Sequence, residues 1–360
     1  MRIHDRYLLR EFLGYLALGL LGFIVIFIVV DIFEKMDVFL DHKASAVLVL
    51  DYYLNLTPDV VVKVLPVALL LATFLALGQL NKFGELTALR ACGISILRLM
   101  APVFAVAGIC VVVSFALSEL VVPGATRTRN QILQERIQHI QRSSHLERAD
   151  VTYLGVGGRI WYMRLYLVRE ERMHEVSLQE FEKGELVRRI DASEATWDGE
   201  RWVFASGFTR SFDAEGRETA TAFQRLGVNG LAERPRDFAK ETRSPDEMNV
   251  LELREYVGRL RSSGARVANY LVDLHMKIAF PFVCIVLVMI GGALATRLRM
   301  QGAALGFGLS IAIAFLYYGF LQAGKAFGHS GLLPPYLAAW MGDIIFGTIG
   351  VIMMWRAQQH

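Results

Sequence analysis

Six long apolar blocks alternate with polar segments along the chain. A transmembrane helix needs about 20 mainly apolar residues. The blocks are about Phe12–Val30, Thr57–Leu80, Leu97–Leu117, Leu274–Thr296, Gly302–Ala323 and Leu333–Trp355. No small-residue cleavage site follows the first block, so we expect a retained span and not a signal peptide. The pattern predicts six membrane spans, three on each side of a long polar region.

The polar region, from about Val122 to Ala268, has a different pattern. Runs rich in β-branched and aromatic residues predict strands at Arg159–Val168, Val176–Glu182 and Arg201–Ser206. The dipeptide Asp198-Gly199 is typical of a two-residue hairpin turn, and Glu182–Glu185 predicts a second hairpin. Several short strands at this spacing favour a sandwich, a barrel or a jelly roll. We therefore expect an all-β domain that resembles a jelly roll.

Helical patterns flank these strands. The charged stretch Thr126–Arg142 is predicted to extend the third span, and Val250–Ser262 has the apolar spacing of a short amphipathic helix. The predicted plan is spans one to three in residues 1–121, the β domain with its flanking helices in 122–268, and spans four to six in 269–360. The two halves show no sequence repeat, which gives an inverted-repeat transporter little support.

Composition agrees with a membrane protein. Of the 360 residues, 54% are hydrophobic and 20% are charged, whereas soluble domains carry about 25% charged residues. The net charge of +3 is too small to suggest a nucleic-acid binder. The three cysteines lie in or next to apolar blocks, with no spacing typical of a metal site. No arrangement of catalytic side chains stands out, so we expect no catalytic residue, metal or bound cofactor.

Orientation follows from the distribution of Lys and Arg in short loops. One side of the predicted topology collects Arg2, Arg6, Arg10, Lys82, Arg90, Arg98, Arg297, Arg299 and Arg356. The opposite short loops, 31–56 and 324–332, are poorer in basic residues, and the first is rich in Asp. Cytoplasmic loops carry the excess of Lys and Arg. Both termini are therefore predicted to be cytoplasmic, and the β domain is predicted to lie outside.

The stretch Asn81–Ser95, between the second and third spans, is predicted to form a short amphipathic helix. Apolar and polar positions alternate at helical spacing in Phe83, Glu85, Leu86, Thr87, Leu89 and Arg90. Gly93 is a suitable helix stop. Such a helix suits docking into a groove on a cytoplasmic partner. A plain connector that lies on the bilayer surface is the alternative.

Several charged residues fall inside or at the edge of the spans, where they are costly and often functional. Asp273 and Lys277 are four residues apart, which predicts a structural ion pair along one helix face. Asp343 has no obvious partner in the sequence and is a candidate for an interhelical contact. The segment Gly319–Ala326 matches most of a P-loop, but it lacks the Ser or Thr and a preceding strand, so we expect no nucleotide site there.

Short matches spread over nearly the whole chain carry a family resemblance. They are Asp5-Arg6-Tyr7, Leu65-Pro66, Glu85–Ser95, Pro123, Arg129-Asn130, Leu251–Gly264, His275–Pro281 and Gly342–Gly350. With these motifs, the chain resembles the permeases of lipopolysaccharide export, the LptF/LptG family, and is more similar to the LptG branch. The resemblance implies a jelly-roll outer domain and an inner-membrane ABC exporter without catalytic activity of its own.

The resemblance also implies partners. A coupling helix at about 82–94 would dock on an LptB-like cytoplasmic ATPase dimer, which uses ATP and Mg²⁺, through Glu85, Leu86, Leu89, Arg90 and Gly93. An LptF-like sister permease would form the other half of the transporter. Lipopolysaccharide would enter sideways from the outer leaflet through gates on spans one and five. It would then pass to an LptC-like membrane-anchored β protein and an LptA-like periplasmic bridge.

Two sets of residues are candidates for roles in this process. The phosphates and sugar acids of the lipid should meet basic side chains near the outer surface, and the candidates are Lys35, Lys43, Lys63, Arg127 and Arg129. Snorkelling or a local ion pair is the alternative for each. Gly302, Gly306 and Gly308 allow close helix approach at a permease interface or within one subunit. Asp31 departs from the family, which often has a basic residue at that place.

Two other functions remain open from the residues. The first is a force-transmitting ABC subunit that drives a periplasmic partner and moves no substrate itself. The second is an ion-coupled secondary transporter that uses Lys63, Glu119 and Asp343. Bound lipid would argue against the first, and dependence on an ATPase would argue against the second.

Overall fold

The structure is a computed structural model that divides the chain into two compact units. It describes residues 3–138, 147–155, 157–182, 185–212, 217–238, 244–262, 267–297 and 303–358. The first unit, here called the membrane unit, comprises Met1–Leu133, Pro245–Val250 and Ala268–His360. The second, here called the β unit, comprises Gln134–Ser244 and Leu251–Val267. The segment Pro245–Val250 thus belongs to the membrane unit although both of its neighbours in the chain belong to the β unit.

Helices account for nearly all of the membrane unit. In chain order the described α-helices of both units are α1 Ile3–Asp41, α2 Ala46–Lys82, α3 Glu85–Ala91, α4 Ile96–Leu120, α5 Val122–Gln131, α6 Pro235–Phe238, α7 Val250–Ser262, α8 Ala268–Ala279, α9 Val283–Arg297, α10 Ala303–His329 and α11 Pro335–Gln358. Of these, α6 and all of α7 after Val250 belong to the β unit. Within the described ranges, six helical stretches are long and apolar enough to cross a membrane. The six predicted spans are confirmed, and α1 and α2 extend well beyond the predicted bounds because helix continues into their polar flanks.

The fourth span is built from two helices. A short 3-10 turn, Phe280–Phe282, separates α8 from α9. Pro281 lies in this turn, and proline has no N–H to donate to the preceding turn of an α-helix. The whole stretch Ala268–Thr296 is still long and apolar enough to span a bilayer.

The spans differ strongly in how much of each is covered by the rest of the chain. In the most apolar 18 residues of each span, 83% of those in α2 are buried but only 11% of those in α1. Helix α2 contacts α1, α4, α9 and α10, and its residues Leu69, Leu70 and Leu77 are fully buried. Helix α2 is therefore the centre of the membrane unit, whereas α1 presents most of its surface outward.

Among its described residues, the β unit contains one antiparallel sheet of six strands, in the order β1 to β6 along both chain and sheet. The strands are β1 Glu147–Leu154, β2 Arg159–Leu167, β3 Arg172–Glu182, β4 Glu185–Trp197, β5 Trp202–Phe212 and β6 Glu218–Val228. The predicted all-β domain between two sets of three spans is confirmed. Strands β1 and β6 were not predicted, and β6 is mostly exposed and polar, so its sequence lacks the apolar alternation of a half-buried strand.

The two predicted hairpins have different outcomes. Glu182 pairs with Glu185, which confirms the hairpin between β3 and β4. The predicted turn at Asp198-Gly199 is wrong by one position, because Trp197 pairs with Trp202 and the Asp198 N–H donates to the Arg201 carbonyl at 3.2 Å. Gly199 has a φ of +102°, so the positive φ belongs to the first residue of a Gly199-Glu200 tip.

The Asp198 side chain stabilises this displaced turn. Its Oδ1 accepts the backbone N–H of Arg201 at 2.9 Å and that of Glu200 at 3.1 Å. These two hydrogen bonds hold the pKa of the Asp198 carboxyl below its ordinary value. An Asx turn of this kind lets Asp precede the tip and leaves the positive φ to glycine alone.

An aromatic cluster forms the core of the β unit. Trp161, Trp202, Phe204 and Phe238 are fully buried, and Phe238 lies edge-on to both tryptophans. The Trp202 Nε1–H donates to the Glu233 carbonyl at 2.9 Å. The Tyr166 hydroxyl likewise donates to the carbonyl of Pro235, at 2.8 Å. The segment that contains α6 therefore closes this core and satisfies the polar ends of Trp202 and Tyr166.

The remaining helical predictions can be compared directly. The predicted helix Val250–Ser262 is confirmed as α7. The helix predicted at Thr126–Arg142 begins earlier, as α5, and continues as a π-helical turn over Ile132–Ile137. Its predicted end lies outside the described residues. The P-loop-like segment Gly319–Ala326 is an uninterrupted part of α10, so it has no phosphate-binding loop.

Candidate functional site

Helix α3 is a short, well-delimited element between the spans α2 and α4. Gly84 precedes it with a φ of +72°, and Gly93 follows it with a φ of +80°. The Ile94 N–H donates to the Leu89 carbonyl at 3.2 Å, which is the closing hydrogen bond of a Schellman motif. The chain therefore makes about two turns of helix between bends at two glycines, and the helix ends before Gly93 as the sequence predicts.

One face of α3 is held by the membrane unit and the other is open. Leu86 is only 2% exposed and Leu89 is partly buried, whereas Thr87 and Ala88 are exposed. Glu85 is partly buried, and the side chain of Arg90 lies outside the described part of the structure. A cavity of about 260 Å³ adjoins the helix and is lined by His4, Tyr7, Leu8, Leu80, Glu85, Ala88, Leu89 and Leu99.

The predicted basic residues of α1 and its following turn have separate environments. Lys35 forms an ion pair with Asp31, and the Tyr53 hydroxyl donates to the other Asp31 carboxylate oxygen at 3.1 Å. The Lys35 ammonium also lies 5.2 Å from the ring centre of Tyr52. Lys43 is exposed and ends α1 with a φ of +47°. Asp31 thus joins α1 to α2 through polar contacts.

Lys63 and Arg129 are brought together by Asp59, a residue that the sequence analysis did not single out. The Lys63 Nζ lies 2.7 Å from Asp59 Oδ2, and the Arg129 Nη1 lies 3.7 Å from the same oxygen. Lys63 and Asp59 belong to α2, and Arg129 belongs to α5. Two of the five candidate lipid-binding residues therefore share one carboxylate.

Arg127 lies in a second polar network around Glu247. Its guanidinium donates to the Glu247 carbonyl at a long distance of 3.4 Å, while its Nε has no hydrogen-bond partner among the described residues. Asn130 Nδ2 donates to the buried Glu247 carboxylate at 2.6 Å, and Arg129 donates to Asn130 Oδ1 at 3.1 Å. The chain of contacts from Lys63 to Glu247 is thus continuous, through Asp59, Arg129 and Asn130.

Glu119 has a structural contact at the end of α4. Its carboxylate accepts the backbone N–H of Val250, the first residue of α7, at 2.7 Å. A carboxylate at a helix N-terminus satisfies an otherwise unpaired N–H and interacts favourably with the helix dipole. The segment Pro245–Val250 is therefore bound to the membrane unit both through Glu247 and through the start of α7.

The two candidate interface glycines that the structure describes differ in their solvent exposure. Gly302 lies outside the described residues, Gly306 is buried and Gly308 is exposed. A Cβ placed on Gly308 would meet no atom within 4 Å. Gly306 is thus covered by this chain itself, whereas Gly308 leaves open space on the surface of α10.

Charged residues inside the spans make contacts between helices. The Tyr317 hydroxyl of α10 donates to the Asp343 carboxylate of α11 at 2.7 Å, which is the interhelical contact expected of Asp343. The expected Asp273–Lys277 pair is wrong. Asp273 instead lies 3.0 Å from Lys325 and 3.4 Å from His329, both in α10. Lys325 and His329 are close to Asp273 because α10 packs against α8, so they take the place of Lys277, which lies one turn away in α8.

Four residues with polar roles were missed by the sequence analysis, namely Asp59 as a shared counter-ion, Glu247, Tyr317 and Tyr318. Tyr318 donates to the Lys63 carbonyl of α2 at 2.5 Å. Pro66 gives no local signal for this contact, because the carbonyl that it leaves without a helical donor is that of Val62. The other contacts join distant parts of the chain, and no local spacing announces them.

Comparison with known proteins places this architecture in a family. Residues 6–356 match the model of the family described as lipopolysaccharide export system permease LptF/LptG. The chain is 23% identical, over 303 residues and 81% of each chain, to lipopolysaccharide export system permease protein LptG of Escherichia coli strain K12. The LptG protein of Escherichia coli O6:H1 strain CFT073 matches with the same identity and coverage. With its six apolar helices and its inserted sheet, the chain is a multi-pass membrane protein that belongs to the LptF/LptG family of lipopolysaccharide export system permeases.

Proposed function

We propose that this chain is one permease half of an ABC exporter, which extracts lipopolysaccharide from the outer leaflet of the inner membrane and passes it to a periplasmic bridge. The observation that carries the proposal is the family match over residues 6–356, which includes both the spans and the inserted β unit. The whole-chain match and the LptG relatives favour this function over force transmission without substrate and over ion-coupled transport.

Helix α3 is the proposed contact with a cytoplasmic ATPase dimer. Its glycine-bounded ends fix the orientation of the helix, and buried Leu86 attaches it to the spans. Its open face and Glu85 are then available to the partner, with Leu89, Arg90 and Gly93 completing the docking segment. A helix held in this way transmits displacement to the spans on both sides of it. ATP and Mg²⁺ are used by the partner, and this chain supplies no catalytic group.

The route of the lipid is proposed to follow the outward faces of α1 and α10. Both helices expose large apolar side chains, such as Leu18 and Leu21 on α1 and Phe315 on α10. A sister permease would cover these faces in part, and the acyl chains of the lipid would enter between the two halves. The head group would meet Lys35, Lys43, Lys63, Arg127 and Arg129, because phosphate and carboxylate form strong charge-assisted hydrogen bonds with Lys and Arg.

The proposed orientation places both termini and α3 in the cytoplasm and the β unit in the periplasm. The excess of Lys and Arg in the loops on the side of the termini supports it. The exposed strand β6 at the edge of the sheet suits addition of a strand from a partner β protein. The membrane-anchored β protein and the bridge protein are the proposed partners on that side.

Purification from native membranes in mild detergent tests the proposal. Mass spectrometry of proteins and lipids should recover an ATPase, a second six-span permease and lipopolysaccharide with this chain. Recovery of the ATPase without lipopolysaccharide would contradict lipid export by the complex. Absence of any ATPase would contradict the docking role of α3.

A charge reversal on α3 tests the coupling. In the reconstituted complex, Glu85→Lys should leave basal ATP hydrolysis within about twofold and reduce ATP-dependent lipid release by at least about tenfold, a loss of about 1.4 kcal/mol of coupling. The matched control is Glu255→Lys, the same charge reversal at an exposed position of α7. Wild-type lipid release by Glu85→Lys, or an equal loss in Glu255→Lys, would contradict the role of Glu85.

A further inference from the structure

Asp59, Lys63 and Arg129 form a compact charged cluster in the membrane unit. Asp59 Oδ2 is 2.7 Å from the Lys63 ammonium and 3.7 Å from the Arg129 guanidinium. Arg129 makes two further hydrogen bonds, both to Asn130 Oδ1, at 3.1 and 3.3 Å. Within the described part of the chain, neither cation has a second carboxylate within 4 Å. The cluster therefore holds two positive charges and one negative charge.

The three side chains differ in how accessible they are. The Lys63 side chain is 51% exposed, whereas those of Arg129 and Asp59 are 20% and 18% exposed. A guanidinium offers five N–H donors. Two of those of Arg129 donate to the neutral amide of Asn130, and Asp59 lies beyond hydrogen-bond distance. Both cations thus retain unused donors, and the lysine can move on its flexible stem to meet a ligand.

We infer that Lys63 and Arg129 form one anion-binding site and that Asp59 is its internal competitor. At rest the carboxylate pairs with Lys63 and lies near Arg129, and a phosphate group of the lipid replaces it during transport. This inference rests on the proposed function, since lipopolysaccharide is the source of the phosphate.

The energetics of the cluster favour such a replacement. An ion pair between neighbouring turns of a helix, with one partner half exposed, contributes little to stability. A phosphate brings more negative charge and more acceptor oxygens than a carboxylate, so it bridges Lys63 and Arg129 more strongly. Asp59 lies one helical turn from Lys63, so its carboxylate always competes with the phosphate for Lys63 and Arg129. It should therefore weaken lipid binding and speed release.

Removal of the Asp59 charge provides the test. The complex of the full chain with its co-purifying subunits is titrated in detergent with lipid A carrying two phosphates, and separately with the same lipid A after dephosphorylation. Asp59→Asn should bind the phosphorylated lipid roughly three- to tenfold more tightly than the wild type and release it more slowly. Binding of the dephosphorylated lipid should not change. Lys63→Gln and Arg129→Gln should each weaken binding of the phosphorylated lipid.

Asp51→Asn is the matched control. Asp51 lies in the same helix, eight residues before Asp59, and its carboxylate accepts a hydrogen bond from Asn55 and no ion pair within the described residues. The control removes the same charge from α2 but should leave binding of both lipids unchanged. Asp59→Ser gives a second substitution with the same expected tightening, and thermal unfolding of each complex identifies a variant that fails to fold.

The outcomes separate this inference from the proposed function. Unchanged binding by Asp59→Asn and Asp59→Ser, with weaker binding by Lys63→Gln, would overturn the competitor role and leave lipid export intact. The competitor role would also be overturned if Asp51→Asn bound the phosphorylated lipid as tightly as Asp59→Asn does. Tighter binding of the dephosphorylated lipid by Asp59→Asn would overturn it too. Either result would mean that the net charge of the helix, and not competition with phosphate, governs binding. Failure of the wild-type complex to bind either lipid would overturn the proposed function and this inference together.

Discussion

The two units of this protein use polar and apolar side chains in opposite ways. In the β unit the aromatic residues Trp161 and Trp202 are fully buried, and ion pairs such as Arg164–Glu175 lie on exposed surface. In the membrane unit large apolar side chains cover the outside, and several of the polar contacts join helices. The Tyr317–Asp343 hydrogen bond and the Lys325–Asp273 ion pair are examples.

The difference follows from the two solvents. Water drives apolar area into a core at roughly 25 cal/mol per Å², so the pattern of apolar residues decides which face of a strand is buried. Lipid tails are as apolar as leucine, so burial alone does not select the neighbours of a span. Close approach at small residues and a few interhelical polar contacts make that selection instead. Substitutions of matched residues in the two units can test this contrast.

The largest effect is expected from the core of the β unit. Trp202→Ala removes a fully buried side chain and its hydrogen bond to the Glu233 carbonyl, and should lower the free energy of unfolding by about 3–5 kcal/mol. A urea titration of the full chain in detergent, read by proteolysis of the β unit, measures the change. Phe208→Ala is the control, since Phe208 is 52% exposed. An equal loss in both variants would mean that burial does not govern this unit.

A smaller but still clear effect is expected where two spans approach closely. A Cβ on Gly324 of α10 would lie 2.4 Å from the backbone carbonyl oxygen of Ala338 in α11. Gly324→Val should therefore cost about 1–3 kcal/mol through overpacking, because a backbone atom cannot move aside as a side chain can. Thermal unfolding of the purified complex checks this. Gly319→Val, in the same helix but with nothing within 4 Å of its Cβ, should be tolerated.

The smallest effect is expected from a single polar contact between spans. Tyr317→Phe removes the hydroxyl that donates to Asp343 and should lower stability by only about 0.6 kcal/mol, the mean for hydrogen bonds between transmembrane helices. Tyr336→Phe is the control, at an exposed position of α11. Unfolding of both variants in sodium dodecyl sulfate titrations gives the comparison. A loss above about 2 kcal/mol would show that this contact has more than a packing role.

Local patterns predicted the elements well and their partners poorly. The helix Val250–Ser262 and the strand beginning at Arg159 were predicted from side-chain periodicity, because each depends on residues within a few positions. The turn at Asp198 was misplaced by one position because pairing of Trp197 with Trp202 fixes the register from outside the turn. The Asp273 partner was wrong because a helix packed alongside offers a better contact than the next turn.

The candidate site shows the same division. The glycine-bounded helix α3 was predicted with its residues, since apolar spacing and a terminal glycine are local signals. Five basic residues were named as lipid contacts. The four-residue spacings of Asp31 with Lys35 and of Asp59 with Lys63 are local signals for ion pairs that the prediction did not use. The contact of Arg129 with Asp59 has no such signal, because it depends on the packing of α5 against α2.

The sequence by itself determined that the chain crosses a membrane six times, carries an all-β insertion and has a short helix between its second and third spans. These features follow from length and periodicity, which need no knowledge of distant residues. Only the tertiary structure decided that α2 is central while α1 faces outward, since all six spans are apolar enough for lipid. It also decided which charges meet across helices, such as Arg129 with Asp59 and Lys325 with Asp273, because only packing brings those helices together.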